Sequence, residues 1–165
     1  MASITLHGTP INTNGELPAI GSQAPDFVLT SGELNDLSLA DFAGKKKLLN
    51  IIPSIDTPVC ATSTRLFNER LGQRDDVVVL VVSADLPFAQ SRFCDAEGTA
   101  DIQPLSMMRS KQFAIDYGVL IEDGPLAGAT ARAVVVLDAD NKVVHTELVG
   151  EIADELDYPA AIATL

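Results

Sequence analysis

KLLNIIPSIDTPVC, residues 47–60, runs from a strand into the start of a helix, and its reading decides the fold. KLLNII (47–52) is an apolar run of strand length, ended by Pro53. Residues 58–71 have helical spacing, with Cys60, Thr64, Phe67 and Leu71 on one face and Gly72 beyond the end. Pro58 suits the first helical position, where its missing N–H goes unused. Thr57 is then the N-cap, and its hydroxyl is expected to accept from first-turn amides. Cys60 becomes the third helical residue, beside free backbone N–H groups and the positive end of the helix dipole. That spacing makes Cys60 a candidate thiolate. Free cysteine is also one of the most buried residue types, so position alone leaves an inert core thiol open.

Working outward, DVVVLVVS (76–83) is a β-branched run that reads as a buried strand. Residues 86–98 read as a helix opened by Asp85 and closed near Gly98. A short strand is expected around Leu105, then a helical piece over 110–118. Residues 118–131 are small and Gly-rich, a loop. RAVVVLD and KVVHTELVG flank DADN as a hairpin. A last helix is placed at roughly 153–164, with Pro159 inside it, and the first 30 residues read as short strands and turns. The order βαβα, hairpin, helix implies an α/β sheet covered on both faces. The length of 165 residues fits one domain over 1–165.

The balance of 11 Lys and Arg against 23 Asp and Glu gives a net charge of −12. So acidic a surface repels phosphate backbones and anionic lipid, so nucleic acid and membrane are excluded as partners. No apolar run reaches membrane-spanning length, and MASITLHGTPINTNG lacks the basic and apolar segments of a secretory signal. A cytoplasmic location is the expectation. Two cysteines are too few for a disulfide scaffold, and in a reducing compartment they are either inert or reactive.

PSIDTPVC fits the pattern P-x-x-x-T-x-x-C, with Pro53, Thr57 and Cys60 in register. Together with NIIPSIDTPVCATSTRLFNE, SADLPFAQSRFC and ARAVVVLDADN, it resembles the thiol peroxidase subfamily of peroxiredoxins. The likeness runs from GTPINTNGELPAIGSQAPDFVL to GEIADELDYPAA, nearly the whole chain. The resemblance implies a thioredoxin-like fold, a central mixed sheet flanked by helices, with an N-terminal β-hairpin extension. It implies reduction of hydroperoxides with Cys60 as peroxidatic and Cys94 as resolving cysteine, joined in an intramolecular disulfide. Thr57, Arg132 and Pro53 would complete the pocket. It further implies a homodimer that uses a thioredoxin-type reductant and carries no cofactor or metal.

In that reading the Cys60 thiolate attacks the terminal peroxide oxygen and becomes a sulfenic acid. A free thiol of pKa about 8.5 is already a few per cent ionised at pH 7, so full ionisation gains at most about 30-fold, roughly 2 kcal/mol. The rest must come from groups aimed at charge moving between the oxygens, Arg132 and Thr57 foremost, while Pro53 shapes the loop and screens water. Cys94 falls on a different predicted helix, so the reduced form should hold the sulfurs apart and oxidation should locally unwind one or both helices. An apolar pocket mouth built from residues 118–130 and Phe88 would favour alkyl and lipid hydroperoxides. Other readings stay open: a peroxiredoxin resolved by an outside thiol, or a redox sensor in which turnover is incidental. His7 and His145 lack metal-ligand spacing and are expected as partly exposed strand residues, and Met107 and Met108 as packing. There is no C-x-x-C and no Gly-rich phosphate loop.

Overall fold

The computed structural model describes residues 1–165. The chain opens with a hairpin, β1 (Ser3–Leu6) pairing antiparallel with β2 (Thr9–Asn12) around His7-Gly8. His7 (φ 49) and Gly8 (φ 81) both take the left-handed conformation that a two-residue hairpin turn demands. Two short strands follow, β3 (Leu29–Thr30) and β4 (Asp36–Leu37), then a 3-10 turn at Leu39–Phe42. Next come β5 (Lys46–Ile51), α1 (Pro58–Leu71), β6 (Val77–Ser83), α2 (Pro87–Glu97) and β7 (Gln103–Ser106). The last elements are α3 (Gln112–Asp116), β8 (Ala133–Leu137), β9 (Val143–Leu148) and α4 (Tyr158–Ile162).

Seven strands form one mixed sheet in the order β4-β3-β7-β6-β5-β8-β9. β5 is an inner strand, parallel to β6 and antiparallel to β8. Successive strand residues point to opposite faces, and here both faces are apolar. Leu48, Val79, Val81, Val134 and Val136 pack with Phe67 and Leu71 of α1, Phe93 of α2 and Tyr158 of α4. Leu49, Ile51, Leu80, Val82 and Val135 pack on the other side with Ile4 and Ile11 of the hairpin and Phe113 of α3. Each such side chain, fully withdrawn from water, contributes roughly 1.5–3 kcal/mol. Continuous β-branched runs are what a sheet buried on both faces selects. This is the thioredoxin-like α/β arrangement, with the hairpin as a separate two-stranded sheet.

The structure departs from the sequence reading at three element ends. The last helix is only Tyr158–Ile162, because Pro159 has no N–H and fits only its first turn. Asp157 caps it, accepting from the Ala160 N–H at 3.0 Å. The helical piece over 110–118 shrinks to the five residues of α3. Asp85 does not open α2; Leu86 occupies the N-cap, and the Asp85 carboxylate is engaged elsewhere. Gly98 does close α2, in the left-handed conformation at φ 66.

Candidate active site

The C-terminal end of β5 lies beside the N-terminal end of β8, with Ile51 opposite Ala133. The chain leaving β5 through PSIDT into α1 therefore passes the residue that precedes β8, Arg132. Thr130 Oγ1 donates to the Ile52 carbonyl at 2.7 Å, tying the two ends together. Cys60, in the first turn of α1, is fully buried, and Arg132 is only 3% exposed. Arg132 Nη1 donates to Cys60 Sγ at 2.8 Å, while its Nε donates to the Ile152 carbonyl at 2.8 Å. A buried guanidinium needs an electron-rich acceptor; here that acceptor is the sulfur. Tyr158 packs edge-on against Phe67 behind the site, ring centroids 5.4 Å apart, and burial pushes its phenol up to about 12.

Thr57 is the N-cap residue, but its hydroxyl caps no amide. The PSID turn brings the Ser54 carbonyl within reach, and Thr57 Oγ1 donates to it at 3.1 Å. With its proton committed, the oxygen keeps its lone pairs for an incoming O–H donor. Pro53, Thr57 and Arg132 line a cavity of about 320 Å³ whose apolar walls include Leu6, Val59, Leu126 and Ile152. Leu126 comes from the expected loop, but Phe88 does not: it is solvent-exposed on α2 and outside this cavity. Instead the N-terminal hairpin supplies Leu6 and His7, so His7 is a turn residue at the site, not a strand residue.

Cys94 sits in the last turns of α2, half-buried, and burial pushes its thiol up. It lines a different cavity of about 410 Å³, together with Gly32, Ser91, Thr99 and Pro104, which shares no residue with the first. Both cysteines are free. Pro53, Thr57, Cys60 and Arg132 thus come together, and Cys94 stays apart.

Two residues that brace the site are not legible as functional in the sequence, where Asp85 reads only as a helix cap. Glu151 accepts from Thr5 Oγ1 at 2.6 Å and from the amides of His7 at 3.0 Å and Gly8 at 3.1 Å. These bonds, the Thr5 hydroxyl first, hold its carboxyl down to about 2 and fix the hairpin turn against the cavity. Asp85 accepts from Ser54 Oγ at 2.8 Å and the Ile55 amide at 2.7 Å, gripping the loop ahead of Cys60. The only signal for Asp85 was its place just beyond a strand's C-terminal end, where loops of α/β sheets converge.

Residues 19–162 match the Redoxin family. The thiol peroxidase of Mycobacterium tuberculosis is 59% identical over 165 residues, spanning 100% of this chain and 99% of that protein. The chain belongs to the Redoxin family, in its thiol peroxidase branch. Among solved structures, a peroxiredoxin-like protein from Aquifex aeolicus superposes with a TM-score of 0.90 at 35% identity, covering 99% of this chain and 95% of that one. The thiol peroxidase from Chromobacterium violaceum follows with a TM-score of 0.87 at 25% identity, covering 98% and 93%.

Proposed function

We propose that this protein is a thiol-dependent peroxidase in which Cys60 reduces hydroperoxides, with Arg132, Thr57 and Pro53 completing the site and Cys94 resolving it. The contact that carries the reading is Arg132 Nη1 to Cys60 Sγ at 2.8 Å. As the Cys60 thiolate attacks the terminal oxygen, an S–O bond forms and the O–O bond breaks. The departing oxygen takes a proton and leaves as water or an alcohol, and Cys60 is left as a sulfenic acid. Negative charge passes from sulfur to the departing oxygen, and the Arg132 fork spans both positions. Thr57 Oγ accepts from the hydroperoxide O–H, which orients the terminal oxygen toward sulfur. The Cys94 thiol then attacks the sulfenic sulfur, water leaves, and an intramolecular disulfide remains.

The apolar cavity walls at Leu6, Val59, Leu126 and Ile152 favour an alkyl or lipid hydroperoxide over hydrogen peroxide. The disulfide is returned to two thiols by a dithiol exchange protein of the thioredoxin type, and no cofactor takes part. We read the protein as a cytoplasmic homodimer on the strength of its family resemblance; no helix is long and apolar enough to cross a membrane. Steady-state peroxide consumption with a thioredoxin system, on wild type and Cys60→Ser, tests the reading. Sustained turnover by wild type alone supports it. One stoichiometric oxidation without turnover would make Cys60 a sensor thiol, and reactivity surviving in Cys60→Ser would overturn its role.

A further inference from the structure

We infer that Asp85 is a positioning residue that holds the Cys60 loop in its peroxide-reactive shape and thereby sets how the sulfenic acid partitions. The inference rests on the roles proposed above for Cys60 and Cys94. Asp85 follows the C-terminal end of β6 and precedes α2, the helix that carries Cys94. Its carboxylate receives three donors: Ser54 Oγ at 2.8 Å on one oxygen, the Ile55 amide and Ser83 Oγ, each at 2.7 Å, on the other. Ser54 and Ile55 belong to the loop between β5 and α1. Ser54 in turn receives the Thr57 hydroxyl on its carbonyl, so the grip of Asp85 reaches the pocket through one intermediate residue.

The other side of Asp85 is fixed to the sheet. Ser106 Oγ of β7 donates to its carbonyl, and Gln90 Nε2 of α2 donates to both Ser83 Oγ and the Leu105 carbonyl at 3.0 Å. The Ile55 amide can only donate, and Ser83 Oγ, which already accepts from Gln90 Nε2, donates as well. Both therefore need an acceptor oxygen here, while Ser54 Oγ donates to the second one. Asparagine can keep the Ile55 and Ser83 bonds through its oxygen only by turning its N–H₂ to Ser54 Oγ, which must then change from donor to acceptor, and every bond loses its charge assistance. The loop then keeps its covalent path but its anchor to β6 weakens.

Once Cys60 is a sulfenic acid it has two fates. In one, the Cys94 thiol attacks its sulfur, an S–S bond forms, the S–O bond breaks and water leaves. In the other, a second hydroperoxide transfers an oxygen to that sulfur, giving a sulfinic acid and an alcohol or water. The first fate requires Cys60 to leave its buried place; the second requires it to stay in the pocket. Asp85 therefore favours reaction with peroxide and opposes resolution.

Stopped-flow mixing of the reduced full-length protein with a hydroperoxide resolves oxidation and disulfide formation, and mass spectrometry after excess peroxide counts sulfinic acid. Asp85→Asn should slow the first step by about tenfold or more, as expected for lost charge-assisted hydrogen bonds. Disulfide formation should proceed as fast as in wild type or faster, and the sulfinic fraction should fall. Ser54→Ala, which removes the bond to the Asp85 carboxylate and the one accepted from the Asp56 amide but leaves the Ile55 and Ser83 bonds intact, should change the same ratio in the same direction by a smaller factor. It decides the matter should Asp85→Asn fail to fold. A general structural defect would slow both steps together or lower thermal stability with their ratio unchanged, and either result overturns the inference. Wild type that leaves Cys60 unoxidised would instead remove the reading of Cys60 itself.

Discussion

Arg132 and Cys60 are separated by 72 residues in sequence and by 2.8 Å between Nη1 and Sγ in the fold. The pairing follows from sheet order, because β5 and β8 are antiparallel neighbours and the two residues flank the same end of that pair. Arg132 is held from behind by its Nε bond to the Ile152 carbonyl, so the fork is oriented before substrate arrives. Preorganised donors of this kind act most strongly where charge develops in a water-poor site.

Arg132→Met should therefore lower the second-order rate constant for peroxide by more than the roughly 30-fold that thiol ionisation alone can explain at pH 7. The decisive comparison is made at a pH where the variant's thiol is fully ionised. A deficit of about tenfold or more should persist there, on the scale of one lost donor to a transition-state charge. Recovery to the wild-type rate would reduce Arg132 to an ionising neighbour. Arg132→Lys should recover only part of the loss, because a point charge cannot span two atoms as the planar fork does.

Cys94→Ser should leave the first oxidation of Cys60 intact, since Cys94 lines a cavity that shares no residue with the Arg132 site. Turnover with a thioredoxin-type reductant should fall to a single equivalent of peroxide. Mass spectrometry after that one equivalent should find Cys60 as sulfenic acid, with no intramolecular disulfide, and sulfinic acid only when a second equivalent is added. Sustained turnover in this variant would assign resolution to an outside thiol.

Much of this was legible in sequence, and the reasons are local. Helix α1 was read to its observed bounds because proline at its start, an apolar face and Gly72 mark both ends by backbone chemistry. The doubly buried sheet was legible in its β-branched runs. Arg132 was not: alone it reads as a charged residue at a strand end, and only the family likeness placed it on Cys60. The hydroxyl of Thr57 took the Ser54 carbonyl, because the turn geometry between Pro53 and Thr57 is set by tertiary contacts. Asp85 and Glu151 act on partners 30 or more residues away, and neither composition nor periodicity encodes such pairings.

Glu151 gives the hairpin a pH dependence with a definite sign. Its folded-state carboxyl lies at about 2, below the ordinary value of 4.5. The stabilisation is therefore complete above the unfolded value and is lost as pH falls from there through about 2. Hydrogen exchange at the His7 and Gly8 amides should accelerate in that window beyond the intrinsic trend, ahead of global unfolding. Glu151→Gln should show raised exchange at neutral pH and a flatter acid profile. Equal protection in both proteins would assign the turn's stability to the β1–β2 pairing alone.

Phe67 lies under Cys60 on the same face of α1, fully buried and packed edge-on against Tyr158 at an interplanar angle of 82°. Phe67→Ala should cost about 3–5 kcal/mol in denaturant unfolding, from lost burial plus the cavity left behind. Phe67→Leu should cost less, since it refills most of the volume. A loss under about 1 kcal/mol for alanine would mean that α1 collapses onto the sheet without it.

Formation of the Cys60–Cys94 disulfide should require local unwinding. Cys60 is fully buried in the first turn of α1 beneath Arg132, while Cys94 is half-buried near the end of α2 beside a separate cavity. A disulfide needs Cα atoms within roughly 7 Å and Cβ vectors that converge. Bringing the sulfurs together breaks the Arg132–Cys60 contact and gives up helical hydrogen bonds near one or both cysteines, while the apolar face around Phe67 and Leu71 can stay in place. Hydrogen exchange read by mass spectrometry should therefore show segments 54–64 and 90–98 losing protection on oxidation. The strands β5, β6 and β8 should keep theirs, because local openings spare the best-packed core. Unchanged protection in both cysteine segments of a protein with a confirmed disulfide would rule out unwinding. A reduced structure with the two sulfurs already in bonding geometry would remove the need for it.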